Sequence, residues 1–190
     1  KIYDCFMFFD EEMLLDLRLN IMDKYVDKFV ITEASYMHSG KPKKLLFDIN
    51  KFSKFKDKII YIIVKDPPPN LIKISDQEKK NVKDLKKIQN AYKREIYQIE
   101  RTQDGLMDAN PNDVIIVSDL DEIPNLEKVD FSTVKEKFIF FKQKMFYYKF
   151  NLLHESLPWH GSKACRKKNF KSPQWLRSIK NKKYPFWRLD

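Results

Sequence analysis

Only two cysteines occur in this 190-residue chain, Cys5 and Cys165, too few and too far apart in sequence for a disulfide framework or a cysteine-rich metal site. Cys5 lies in an apolar segment and is expected to be a small buried hydrophobe; a bridge to Cys165 requires the fold to bring the two together. The three histidines, His38, His154 and His160, lack metal-ligand spacing, which excludes a zinc motif of the His-x-x-x-His kind. No window approaches the roughly 18 uninterrupted apolar residues of a membrane span, and the first residues lack the parts of a signal peptide. The expectation is a soluble stretch, with an anchor or signal removed ahead of Lys1 still compatible with it. Internal repeats and low-complexity linkers are missing as well, so a single domain over residues 1–190 is expected.

The chain does have apolar material and charge. At 43% hydrophobic and 14% aromatic residues it can bury a core. Its net charge of +10 raises the possibility of a polyanion partner, because lysine and arginine neutralise phosphates. The distribution argues against nucleic acid. Lysines are scattered and interleaved with Asp and Glu, and no zinc finger, aromatic RNA-binding signature or basic zipper is present. Most of them read as solvated helix faces.

Strand and helix patterns alternate along the chain. Residues 1–9 read as a first strand, and Leu14, Leu17, Ile21, Met22 and Tyr25 recur at helical spacing after it. Residues 28–33 read as a second strand, 35–42 as a loop, 47–55 as a short helical or irregular piece, and 59–64 as a third strand ended by Pro67-Pro68-Pro69. Ser75-Asp76-Gln77-Glu78 has capping-box spacing. From there a long helix is expected toward Met107, burying Ile88, Tyr92, Ile96, Ile99 and Met107. Asn110-Pro111-Asn112 turns into a further strand, residues 138–141 and 145–150 are aromatic strand candidates, and the remainder reads as loop-like and basic. Such alternation predicts an α/β fold with a mainly parallel central sheet flanked by helices.

The most telling stretch is Asp113-Val114-Ile115-Ile116-Val117-Ser118-Asp119-Leu120-Asp121-Glu122-Ile123-Pro124, in which a β-branched run ends in three carboxylates. Ligands of open α/β sheets bind outside the carboxyl ends of strands, so Asp119 and Asp121 could hold Mn²⁺ or Mg²⁺ against a diphosphate. An exposed acidic turn after a core strand is the plain alternative, since Asp-x-Asp is short and frequent. A phosphatase or other phosphoryl-transfer enzyme using the same carboxylates, and a noncatalytic basic polyanion-binding module, are the competing functional readings.

The string from Ser118 to Pro124 resembles the signature of glycosyltransferase family 17, the bisecting N-acetylglucosaminyltransferase family. Further pieces look like that family in order: Ile2-Tyr3-Asp4-Cys5-Phe6, Phe8-Phe9, then Glu11, Glu12, Leu14, Leu15, Arg18, Leu19 and Asn20. Val26-Asp27, Phe29-Val30-Ile31, Glu33-Ala34, Ser39-Gly40-Lys41-Pro42-Lys43, Phe146-Tyr147-Tyr148 and Ser172-Pro173-Gln174-Trp175-Leu176-Arg177 continue the likeness. The resemblance implies a GT-A-like nucleotide-sugar-binding fold and an inverting, metal-dependent transfer of a sugar, expected to be N-acetylglucosamine from UDP-GlcNAc, onto a glycan or glycoprotein hydroxyl. It implies Asp119, Asp121 and Glu122 as catalytic residues, with Asp119 and Asp121 on the metal. Glu33, Lys41, Gln98 and Arg101 are the expected donor contacts, and Tyr148, Trp159 and His160 the expected acceptor contacts. Two departures stand out. Relatives carry Gln-Arg-Asn where this chain has Gln98-Ile99-Glu100, which leaves Arg94 or Arg101 to supply the guanidinium. The chain also ends at Trp187-Arg188-Leu189-Asp190 ahead of the family's Gly-Trp-His-Phe-Ser, so a catalytic domain truncated at its C-terminal end is expected. The compartment is left open between a Golgi lumen, for a eukaryotic member, and a cytoplasm, for a microbial or viral one.

Overall fold

The computed structural model describes residues 1–149, 151–154 and 159–180. Its centre is a six-stranded sheet in the order β3-β2-β1-β4-β6-β5. The strands are β1 (Ile2–Met7), β2 (Lys28–Ala34), β3 (Ile59–Val64), β4 (Val114–Val117), β5 (Phe138–Phe140) and β6 (Lys163–Arg166). β3, β2, β1 and β4 run parallel to one another, whereas β6 pairs antiparallel with both β4 and β5. The sheet is therefore mixed: four parallel strands with an antiparallel edge.

Side chains of the central strands alternate between two cores, as the period of two along a strand requires. Phe6, Phe29, Ile31, Val114 and Ile116 face the core that α1 (Glu12–Met22) covers with Leu15, Leu19 and Met22. Tyr3, Cys5, Val30, Ile115 and Val117 face the opposite core, closed by Ile99 of α2 (Lys80–Glu100), Leu106 of the 3₁₀ segment Arg101–Leu106, and Leu176 of α3 (Pro173–Ser178). Cys5 and Cys165 both lie in this second core as buried free thiols, so no bridge joins them.

Several elements differ from the sequence expectation. The inward stripe of α1 is Leu15, Arg18, Leu19 and Met22, while Leu17 and Ile21 are exposed. The long helix starts at Lys80 without a side-chain cap and becomes 3₁₀ after Glu100. Of its expected buried stripe only Ile99 is fully buried; Ile88 is 67% and Met107 87% exposed. The helix is held instead through Asn90, whose amide bonds to both the N–H and the carbonyl of Ile72, and through its C-terminal turns. Residues 145–149 make only an isolated bridge, Phe146 to Leu153, rather than a strand, and Phe150 lies outside the described residues, as do 181–190. The basic tail expected to be loop-like contains β6 and α3. No helix among the described residues is long and apolar enough to cross a membrane.

Candidate functional site

Strand order reverses at β1, whose neighbours β2 and β4 lead to opposite edges of the sheet. At such a switch point the connections leaving the two strands diverge and open a crevice at their carboxyl ends. A cleft of about 640 Å³ lies there, lined by Phe8, Phe9 and Glu11 after β1, His38 after β2, Glu95 and Gln98 of α2, Asp119 and Asp121 after β4, and Arg177 of α3.

The acidic loop after β4 is built around Arg18. This guanidinium is fully buried, lies 4.6 Å from the centre of the Phe6 ring, and forms a fork with Asp4 at 2.7 and 2.8 Å. Its remaining donors reach Ser118 Oγ at 2.7 Å and the carbonyls of Asp119, Leu120 and Glu122 at 3.0–3.1 Å. One side chain thus satisfies the backbone of a tight loop that has no secondary structure of its own, and its charge is balanced by Asp4. The sequence places Arg18 in a family-like block, but nothing in its spacing reveals that it reaches a loop a hundred residues away.

Within that loop the three carboxylates part company. Glu122 turns inward: its Oε2 accepts from the Asp119 N–H at 2.9 Å and its Oε1 from Trp159 Nε1 at 2.7 Å. Burial pushes the Glu122 carboxyl up from its ordinary value, against the opposing pull of the Asp119 N–H. The carboxylate rests against Gly161, where any Cβ would stand 1.8 Å from Oε1. Asp119 faces the cleft, with Oδ2 accepting from Arg177 Nη2 at 2.7 Å, while Arg177 Nη1 reaches Glu95 Oε1 at 2.8 Å. Asp121 also lines the cleft, is exposed, and its carboxylate has no partner among the described residues.

The remaining expected site residues are dispersed. Gln98 lines the cleft and donates to the Thr32 carbonyl at 3.0 Å. Glu33 is completely buried; it accepts from the Leu46 and Phe47 N–H groups, from Tyr61 Oη at 2.8 Å, and from Lys43 Nζ. It ties β2 to the loop beyond it and does not line the cleft. Lys41 is exposed outside the cleft lining, whereas Met37 and His38 of the same loop enter it. Gly40 allows that loop its shape: φ is +90°, and a Cβ would meet the Arg94 guanidinium at 2.6 Å. Arg94 donates to the His38 carbonyl, and Arg101 pairs with Asp104 away from the cleft, so neither supplies a free guanidinium there. Trp159 stands behind the acidic loop with its indole N–H committed to Glu122, half-buried His160 follows it, and Tyr148 is 98% exposed on a separate turn.

Among the described residues, no three His, Cys, Asp or Glu side chains converge to form a cage for a metal ion. The cleft nevertheless suits a divalent cation shared with a ligand. Among the described residues of its lining, Glu11, Glu95, Asp119 and Asp121 stand against Arg177 as the one lysine or arginine, so an accompanying cation would favour an anionic ligand there. Mg²⁺ is typically held by one or two carboxylates together with substrate phosphates, the number Asp121 and Asp119 provide. The family model of glycosyltransferase family 17 matches residues 1–175, nearly the whole chain. No curated protein and no solved structure gives a match.

Proposed function

This chain belongs to glycosyltransferase family 17, and from that premise we propose that its cleft binds a UDP-sugar with Mn²⁺ or Mg²⁺ and transfers N-acetylglucosamine to a glycan hydroxyl with inversion. The observation that carries the reading is the uncommitted carboxylate of Asp121 beside Asp119, at the switch point of the sheet, in a cleft large enough for a nucleotide sugar. The family assignment gives no support to the phosphatase or polyanion-binding alternatives. The four strands β3-β2-β1-β4 with the acidic loop after β4 agree with a GT-A-like arrangement, in which the nucleotide lies across the ends of the first strands.

In this reading Asp121 and Asp119 hold the cation. A bound divalent ion acts as a Lewis acid and stabilises charge developing on the diphosphate leaving group. Arg18 and Glu122 are positioning residues: the first fixes the loop carbonyls, and the second fixes the Asp119 backbone. As the bond from the anomeric carbon to the diphosphate breaks, the acceptor oxygen bonds to that carbon from the opposite face, and a cleft carboxylate takes its proton. Phe8, Phe9 and Met37 give the cleft the apolar wall that a base or sugar face packs against.

The direct test is calorimetric titration with UDP and UDP-GlcNAc, each with and without Mn²⁺, on the native chain and on Asp121→Asn. Binding that requires both the metal and Asp121 is expected. Equal binding by Asp121→Asn would remove the acidic loop from the donor site.

A further inference from the structure

We propose that Arg177 is the anion-binding residue of this cleft, its guanidinium exchanging Asp119 and Glu95 for the diphosphate when a donor enters. The inference deepens the donor reading above and rests on it for the identity of the ligand. Arg177 is the one lysine or arginine among the described residues lining the cleft, and it sits beside the carboxylate pair assigned to the cation. It bridges two elements, reaching Glu95 on α2 with one nitrogen and Asp119 on the acidic loop with the other, both near 2.7–2.8 Å. Those two carboxylates occupy the positions around a planar fork that phosphate oxygens take in bidentate recognition.

The short helix carrying Arg177 is fastened at both ends, which holds the guanidinium over the cleft. Ser172 caps it by accepting from the Trp175 N–H and donates to Glu100 Oε1 at 2.7 Å; the Gln174 N–H reaches the same oxygen at 3.0 Å. Leu176 is fully buried in the core, and Lys163 of β6 donates its ammonium to the Arg177 carbonyl. The exchange would leave Glu95 without its partner, whereas Asp119 would stay compensated if it held a cation, so the diphosphate must offset the loss of one ion pair. Ile99 is completely buried in the apolar core, and its neighbour Glu100 anchors the helix bearing Arg177.

The test measures binding of inorganic pyrophosphate, UDP and uridine in Mg²⁺ buffer to the wild-type chain, R177K and R177Q. Pyrophosphate and UDP are expected to bind R177Q about tenfold more weakly or worse, R177K to recover only part of the loss, and uridine to bind all three alike. Absence of pyrophosphate binding to the wild type overturns the proposal, as does wild-type affinity in R177Q or R177K. Equal weakening of uridine and UDP also overturns it, since that marks a purely structural role. If R177Q fails to fold, protection of Arg177 from phenylglyoxal by pyrophosphate on the native chain takes its place, and lack of protection counts against the assignment. Failure of the donor reading has a separate signature: pyrophosphate binding that depends on Arg177 and gains nothing from the uridine moiety.

Discussion

Arg18 and Gly161 are the two positions where a single atom group decides whether the acidic loop keeps its form. Asp4 and Arg18 are both completely buried, and desolvated ions of this kind are tolerable only together. Arg18→Met leaves the Asp4 carboxylate without its counter-ion and the carbonyls of Asp119, Leu120 and Glu122 without their donor. The expected cost is about 3–5 kcal/mol, read as a fall in the denaturant midpoint at constant slope. Gly161→Ala acts on the other side of the loop, because its methyl group occupies the space of Glu122 Oε1 and drives the carboxylate from its two donors. A loss of about 1–3 kcal/mol with weaker UDP binding is expected, measured by thermal melting and calorimetry on the same sample. Trp159→Phe removes the indole donor together with the smaller ring of a partly exposed side chain and should cost about 1 kcal/mol. A larger penalty for Trp159→Phe than for Gly161→Ala would contradict this account of what holds Glu122.

The elements that hold the sheet together were the most legible part of the sequence, and the surfaces around them the least. β1, β2, β3 and β4 announce themselves as runs rich in β-branched or aromatic residues, because faces packed against a core need apolar side chains. β6 gives no such signal: Lys163-Ala164-Cys165-Arg166 has charged ends and no β-branched residue, and it is a strand because β4 and β5 each offer it a ladder. Helical periodicity likewise identifies α2 but not its inward face. Leu85, Ile88 and Tyr92 point away from the body, while the contacts made on the other side come from Asn90 and from Lys86 reaching Glu78. The place of the Asp-x-Asp pair just after a strand was legible; the pairing of Asp119 with Arg177 was not, since contact between residues 58 positions apart leaves no local pattern. The test at this scale compares positions on one helix. Leu85→Glu and Ile88→Glu should change stability by about 0.5 kcal/mol or less, whereas Ile99→Ala should cost about 2–5 kcal/mol. Comparable losses at all three positions would mean that the exposed stripe has a partner within the folded chain.

Ligand entry into the cleft should stabilise the whole molecule, because the cleft is where four elements meet. The end of β1, the acidic loop after β4, α2 and α3 each contribute lining residues. A nucleotide bound there with its cation joins parts of the chain that local unfolding would separate, and its binding free energy adds to that of folding. At a ligand concentration about 100 times its dissociation constant the gain is about 2.7 kcal/mol, or roughly 5–11 °C in Tm for a chain of this size. UDP with Mn²⁺ should produce this shift in the native chain and not in Asp121→Asn, with new hydrogen-exchange protection after β1, after β4 and in α3, and none along the β3 edge. The net charge of +10 supplies the contrasting outcome. A chain acting only as a basic surface would be stabilised by heparin rather than by UDP, would lose the effect steeply as salt rises, and would respond identically after Asp121→Asn. Electrostatics alone does not imitate the first pattern: among the described residues of the cleft lining carboxylates outnumber lysine and arginine, so in a purely electrostatic response Asp121→Asn would strengthen anion binding rather than weaken it.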